Sequence, residues 1–295
     1  MERATRLAEE LRLPVLRWLV TIVRGTLEAI AGEIAGAEKL AFEALALSQL
    51  TDQPDASTWF GVQLYMVRYE QGRLTELVDM AHTAIARAPR LYTWHAALVM
   101  ALTELDRLDE ARLVVDELLA VNYPDRRGEP HWLIGMSCLG SAIATLGDAP
   151  AAAKVYSTLL PSAGRWASIM PLSLGSIDRV LGELALTLGH WEAAAGHFRS
   201  AIVDHDAAGA PGFAARSRLG LMRALRAAGR QSPAGAIDEI AALESEVRRI
   251  LAGHDLPRVV TLLDRFRGVD VNRAQQQAYP PLPVQASALL HVDEP

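Results

Sequence analysis

Three arginines recur at seven-residue intervals in the segment ARSRLGLMRALRAAGR, at Arg216, Arg223 and Arg230. This spacing places them near one face of an α-helix, and Arg226 lies beside that face. Guanidinium groups bind carboxylates and phosphates through paired hydrogen bonds. The row therefore predicts either a site for a carboxylate-rich peptide, a phosphate or an acidic domain, or a solvated basic helix face.

Residues that carry catalysis or bind metals in other proteins are present here without the necessary spacing. None of the eight histidines forms an H-E-x-x-H motif, and His197 and His205 are only loosely grouped with Asp204 and Asp206. The segment GMSCLGS lacks the G-x-S-x-G spacing of an activated serine. Its Cys138 is expected to be a small core residue. We therefore expect no enzyme activity, no metal and no cofactor.

The composition of the 295 residues predicts an all-α protein, because alanine and leucine supply most of the 51% hydrophobic content and aromatic residues only 6%. The net charge of −6 argues against a nucleic-acid partner for this chain alone. Apolar runs fall short of the roughly 20 residues that cross a bilayer, so we expect no membrane association. One cysteine allows no internal disulfide, which fits a cytoplasmic protein.

One pattern recurs along the chain: a turn residue is followed by small or apolar residues five, nine and twelve positions later. In LGHWEAAAGHFRSAI, Gly189 precedes Ala194, Phe198 and Ala201 in this way. The pattern predicts further turns at Gly32, Gly72, Asp106, Gly147 and, with two extra residues, at Gly229. Each turn joins two helical segments. A single hairpin cannot bury its apolar faces alone, so the hairpins must stack.

These features resemble a tetratricopeptide-repeat (TPR) array over roughly residues 13–250. Leu139-Gly140 and Leu181-Gly182 match the Leu-Gly pair of the family's first helix, and Ala194, Phe198 and Ala201 match its second helix. The resemblance implies a right-handed α-solenoid of about six helical hairpins. The repeats here are mostly longer than the family's usual length.

A second resemblance rests on the segments LAEELRLPVLRW and DASTWFGVQLYMVRYEQGRLTELV. They are similar to the C-terminal repeat region of bacterial, actinobacterial-type signalling ATPases and transcriptional regulators. No G-x-x-x-x-G-K-[ST] loop is found in this sequence. The similarity implies a regulatory setting, with nucleotide-binding chemistry outside this segment.

The TPR resemblance also implies that the first helix of each hairpin lines a concave groove where a partner binds. The groove would be aromatic, sulfur-containing and acidic at one end and basic at the other. The predicted partner-binding residues are Trp59, Met66, Tyr69, Glu70, Met100, Glu104, Arg179, Glu183, Arg216, Arg223 and Arg226. Trp59, Met66 and Tyr69 form either a hydrophobic anchor site or part of the core.

The predicted organisation has three parts. Residues 1–12 form a capping helix or the remnant half of an earlier repeat, which would make the chain a piece of a longer protein. Residues 13–268 form the repeat domain. Residues 269–295 include YPPLP and are expected to be a flexible tail, or a segment that lies in the groove of its own or another chain.

The predicted function is a non-enzymatic scaffold or regulatory module that binds a protein or peptide, acidic in character if the arginine row takes part. Self-association is compatible with this prediction. The alternative is a small-ligand sensor domain of a signalling ATPase or transcription regulator, in which a ligand reshapes the solenoid. An enzyme built on helical hairpins would need a deep pocket with convergent acid and base groups, which the sequence does not indicate.

Overall fold

The computed structural model describes residues 1–50, 53, 56–129, 131–229 and 236–268. This part of the chain is mainly helical, as the composition predicts. Its helices are α1 (Glu2–Glu10), α2 (Pro14–Ile30), α3 (Ile34–Ser48), α4 (Ala56–Glu70), α5 (Leu74–Arg87), α6 (Tyr92–Glu104), α7 (Leu108–Ala120), α8 (Trp132–Leu146), α9 (Ala149–Leu159), α10 (Ile177–Thr187), α11 (Trp191–Ala207), α12 (Pro211–Ala228), α13 (Ala236–Gly253) and α14 (Pro257–Arg267). The predicted tail, residues 269–295, lies outside the described residues.

Five of the six predicted turn residues have the left-handed backbone that ends one helix and starts the next. The φ angle is +83° at Gly32, +73° at Gly72, +57° at Asp106, +69° at Gly147 and +76° at Gly189. Glycine adopts this conformation without steric cost, which explains its use at four of these positions. The predicted turns are thereby confirmed at these five positions.

The last predicted turn differs from the others. Gly229 ends α12 with a right-handed φ of −64°, and residues 230–235 lie outside the described part of the chain. The distorted spacing after Gly229 in the sequence corresponds to this change in backbone conformation.

The small and large residues of the repeat let neighbouring helices approach closely. Ala194, Phe198 and Ala201 are all buried on α11. The Phe198 ring lies where a Cβ on Gly182 of α10 or Gly220 of α12 would be, at 2.8 Å and 2.3 Å respectively. The aromatic ring therefore fills the space that these two glycines leave, and it joins three consecutive helices.

A two-stranded antiparallel hairpin departs from the purely helical expectation. It consists of β1 (Trp166–Ile169) and β2 (Leu172–Ser176) and connects α9 to α10. All five residues of β2 are buried. Its neighbours include helices from both halves of the chain: α2, α4, α8, α10 and α11. The hairpin thus packs between helices of the two halves, whose inner faces the sequence analysis assigned to a groove for a partner.

The helices on either side of this hairpin also meet directly. Consecutive helices pack against each other from α1 to α13. In addition, α12 contacts α2, and α14 contacts both α4 and α12. These contacts between distant segments bring the first two predicted hairpins next to α12 and α14. No helix within the described residues is long and apolar enough to span a bilayer.

Candidate functional site

Six of the predicted partner-binding residues meet around one small cavity between the two halves of the chain. They are Met66, Tyr69, Glu70, Met100, Arg179 and Arg216, and the lining is completed by Tyr65, Ser173, Leu174 and Phe213. The cavity volume is about 10 Å³, which is close to the minimum space for a single water molecule. The predicted inner positions therefore converge, but they face each other across a closed interior.

A buried ion pair forms the centre of this interior. Nη1 and Nη2 of Arg216 donate hydrogen bonds of 2.8 Å and 2.7 Å to the two carboxylate oxygens of Glu70. The two side chains are only 6% and 4% exposed. The guanidinium also lies 4.7 Å from the centre of the Phe213 ring. Burial alone would lower the pKa of Arg216, but the Glu70 carboxylate raises it overall.

The sequence places Glu70 and Arg216 at opposite ends of an open groove, one acidic and one basic. The structure corrects this arrangement, because the two ends touch and neutralise each other. Both side chains are buried by the β-hairpin and by the aromatic ring of Phe213, so neither is exposed to a partner in this conformation.

A second ionic group attaches α14 to the N-terminal half. Glu104 accepts a hydrogen bond of 3.2 Å from the Tyr69 hydroxyl and forms an ion pair with Arg258 of α14. Arg265 of the same helix lies 3.3 Å from a carboxylate oxygen of Asp106. Helix α14 therefore packs against α4 and α12 and is held by two acidic residues, at the end of α6 and in the turn that follows it.

The remaining inner residues of the fourth and fifth predicted hairpins form a local network. Nη1 of Arg179 lies 2.5 Å from Glu183 one turn later on α10. The other carboxylate oxygen of Glu183 accepts a 2.6 Å hydrogen bond from Ser141 of α8. Nε of Arg179 is buried without a hydrogen-bond partner among the described residues. This donor is the one polar group of the network that a ligand could satisfy.

Trp59 does not join the other predicted residues. Its ring packs against Trp18 of α2 with ring centres 5.4 Å apart, in a separate small apolar cluster. Met66 and Met100 are buried, while Tyr69 is partly buried beside them. The predicted anchor patch of Trp59, Met66 and Tyr69 is therefore divided between two places in the core, which favours the packing alternative.

The arginine row is divided as well. Arg216 is buried, whereas Arg223 and Arg226, about two and three turns further along α12, are exposed. These two line an open recess together with Ala227, and with Arg265 and Phe266 from α14. The recess has a volume of about 350 Å³. Arg230, the last member of the predicted row, lies outside the described residues. We call the space lined by these five residues the arginine recess.

A buried histidine anchors the β-hairpin, a role that sequence reasoning missed. His205 of α11 is fully buried; its Nε2 accepts a 2.8 Å hydrogen bond from the backbone N–H of Ser176, and its Nδ1 lies 3.0 Å from Ser217 Oγ. The ring is therefore neutral, with its proton on Nδ1. Burial, together with nearby arginines, lowers the pKa of His205 to about 3.

Three polar side chains connect α9, α10 and α11 in the order Tyr156, His197 and Asp178. Nδ1 of His197 lies 2.8 Å from Asp178, and its Nε2 lies 3.0 Å from the Tyr156 hydroxyl. Asp178 also accepts a 2.6 Å hydrogen bond from the N–H of Gly164. Burial and the Asp178 charge raise the pKa of Tyr156, so its phenol stays protonated at neutral pH. These hydrogen bonds link three consecutive helices, α9, α10 and α11.

Two further candidates for chemistry are the thiol of Cys138 and a possible group of metal-binding side chains. Cys138 is buried, and burial raises the pKa of its thiol to about 12, which keeps it in the unreactive protonated form. Among the described residues, no three His, Cys, Asp or Glu side chains are grouped so that they could hold a metal ion.

Comparison with known proteins gives this chain no relatives: no protein-family model, curated protein or solved structure matches it.

Proposed function

We propose that this chain is a non-enzymatic binding module, built as a right-handed stack of about six TPR-like hairpins, that recognises a protein or peptide partner. Its support is the repeated turn geometry and the close packing of alanines, glycines and Phe198 between successive helices. Such stacks expose a large surface without a catalytic pocket. The bacterial signalling setting of this proposal rests on sequence resemblance, and its cytoplasmic location rests on the presence of a single cysteine.

The arginine recess is the observation that carries this proposal. The inner face that would receive a partner in an open array is occupied by the chain's own β-hairpin and by the Glu70–Arg216 ion pair. The recess beside it is open, has room for a side chain or short segment, and presents arginines from two helices. Arginine is enriched at the residues that contribute most to binding in protein interfaces, so we place the partner contact here. We expect the surface of the partner that meets the recess to be acidic.

A small-ligand sensor is the second candidate function. It is favoured by the closed cavity beside the unpartnered Nε of Arg179. A ligand with a hydrogen-bond acceptor would satisfy this donor, but it would have to separate Glu70 from Arg216 to enlarge the cavity. Binding would then move the two halves of the chain apart, which is the kind of differential contact that shifts a conformational equilibrium.

Site-specific photo-crosslinking in cells tests the proposed function. A photoreactive amino acid is placed at Ala227, which lines the recess, and in a separate protein at Val203, which is 67% exposed on α11. We expect crosslinking from position 227 to a distinct protein, or to a second copy of this chain, and not from position 203. The captured protein must then bind the purified chain. Absence of a crosslink at 227, or equal crosslinking at both positions, would count against the proposal.

A further inference from the structure

The three arginines of the recess differ in how far their charges are already neutralised. Arg265 has Asp106 at 3.3 Å. Arg226 donates a 2.9 Å hydrogen bond to the carbonyl oxygen of Phe266 and stacks 3.7 Å from that ring. Arg223 has no hydrogen bond or ion pair to any of the described residues. Among the described residues, its guanidinium is therefore the donor of the recess that is left for a ligand.

Acidic groups close to the recess do not neutralise Arg223. Glu183, the acid whose charge acts on it, is already bound by Arg179 and Ser141. Glu104 is paired with the buried Arg258. Asp106 pairs with Arg265, so the carboxylates of the described residues leave two positive charges of the recess uncompensated, at Arg223 and Arg226. Two uncompensated charges match the charge of a phosphate monoester near neutral pH, which is about −1.5 to −2.

The geometry favours phosphate over a single carboxylate. A planar carboxylate is satisfied by one guanidinium fork, as the Glu70–Arg216 pair in this protein illustrates. The recess instead brings arginines from α12 and α14 around one open space. A tetrahedral group with three terminal oxygens can accept hydrogen bonds from several such directions at once.

We propose that the arginine recess binds a phosphate monoester through Arg223, Arg226 and Arg265. The volume of about 350 Å³ exceeds what the phosphate itself needs, so the recess also accommodates the group that carries it. That carrier is either a phosphorylated side chain of a protein partner or a small phosphorylated metabolite. The first case rests on the proposed function and gives the chemistry of its partner; the second corresponds to a ligand-sensing role.

Isothermal titration calorimetry on the full chain tests this inference with three probes: inorganic phosphate, pyrophosphate and a phosphoserine-containing peptide. Sodium chloride of matched ionic strength controls for screening. Arg223→Ala removes the unpaired donor from the exposed surface, so the fold is retained. Arg112→Ala removes another exposed arginine, on α7, and serves as the matched control. Circular dichroism of both variants verifies that the helices are intact.

We expect at least one probe to bind, with a Kd raised tenfold or more by Arg223→Ala and unchanged by Arg112→Ala. Tighter binding of the phosphopeptide than of either inorganic anion identifies a protein source; equal or tighter binding of the inorganic anions identifies a small ligand. No binding beyond that of chloride, or equal binding by Arg223→Ala and the wild type, overturns the inference. A crosslink at Ala227 without phosphate binding would overturn this inference alone and leave the proposed function standing.

Discussion

Arg216 and Glu70 form a two-hydrogen-bond ion pair across 146 residues of sequence, with both side chains almost fully buried. Removing one partner leaves the other charge without compensation in the interior. We expect Arg216→Met to lower the free energy of unfolding by about 3–5 kcal/mol, as measured by urea denaturation.

The paired variant Glu70→Leu/Arg216→Met provides the comparison, because removing both charges avoids an unpaired buried ion. It should be clearly more stable than Arg216→Met alone. Arg199→Ala, which breaks an exposed ion pair with Glu239, should change stability very little. Equal losses in the single and double variants would show that the pairing itself is not what stabilises this contact.

Replacement by alanine should have opposite effects on stability at two glycines, Gly182 and Gly196. A Cβ at Gly182 would lie 2.8 Å from the Phe198 ring, so Gly182→Ala should cost about 1–3 kcal/mol by overpacking. Gly196, on the exposed side of α11, has no atoms within 4 Å of such a Cβ. Gly196→Ala should therefore stabilise the protein by about 0.5–1 kcal/mol through helix propensity. Thermal unfolding of both variants, compared with the wild type, measures the expected loss and gain of stability.

Because the pKa of His205 is lowered in the folded protein, we expect the protein to lose stability as the pH falls below 6.5. The unfolded chain takes up a proton on this histidine near its usual pKa of 6.5, whereas the folded chain resists protonation down to about pH 3. The unfolded state therefore binds more protons in this window, so lowering the pH favours unfolding. Between pH 6.5 and 5, His205 alone should account for a loss of about 2 kcal/mol.

Urea unfolding of wild type and His205→Gln at pH 7.5 and 5 measures this contribution. The variant should be less stable at pH 7.5, since it loses the fit around Ser176 and Ser217, yet its stability should depend less on pH. His95, whose pKa is also lowered by burial, contributes in both proteins and cancels from the comparison. An identical pH dependence in the two proteins would contradict the assignment.

Removing one hydrogen bond to the tip of the β-hairpin should loosen the hairpin and leave the rest of the fold in place. The Thr26 hydroxyl of α2 lies 2.9 Å from the carbonyl oxygen of Met170 and 3.0 Å from that of Ile22. Thr26→Val keeps the shape and removes the hydroxyl, which should cost about 1 kcal/mol. Hydrogen exchange of residues 166–176 should become faster. Thr145→Val, which removes a hydroxyl bonded only within its own helix, should leave that exchange unchanged.

The helical pairs could be predicted from the sequence because their signals are local. A glycine with positive φ, such as Gly189, and a stripe such as Ala194, Phe198 and Ala201 lie within about a dozen residues of each other. The assignment of residues such as Tyr69 and Arg216 to the inner faces of their helices rests on the same periodicity. These assignments depend on the helical repeat alone, so spacing is sufficient to make them.

The closure of the interior could not be predicted from spacing. The pairing of Glu70 with Arg216 depends on how all the intervening helices pack, which no local pattern specifies. Length gives no signal for the β-hairpin, because the interval from Gly147 to Gly189 is close to the intervals from Gly32 to Gly72 and from Asp106 to Gly147. Burial of all five residues of β2 removes the alternation by which a strand is usually recognised.

Helix α14 has a consequence for the way the molecule comes apart. In a linear array, each unit touches only the next, and a terminal unit can melt while the others remain folded. Here α14 is bonded to Glu104 and Asp106, far earlier in the chain, and it also packs against α4 and α12. Local unfolding of this one helix therefore removes contacts from two distant segments at once, and it loosens the interior that lies between them.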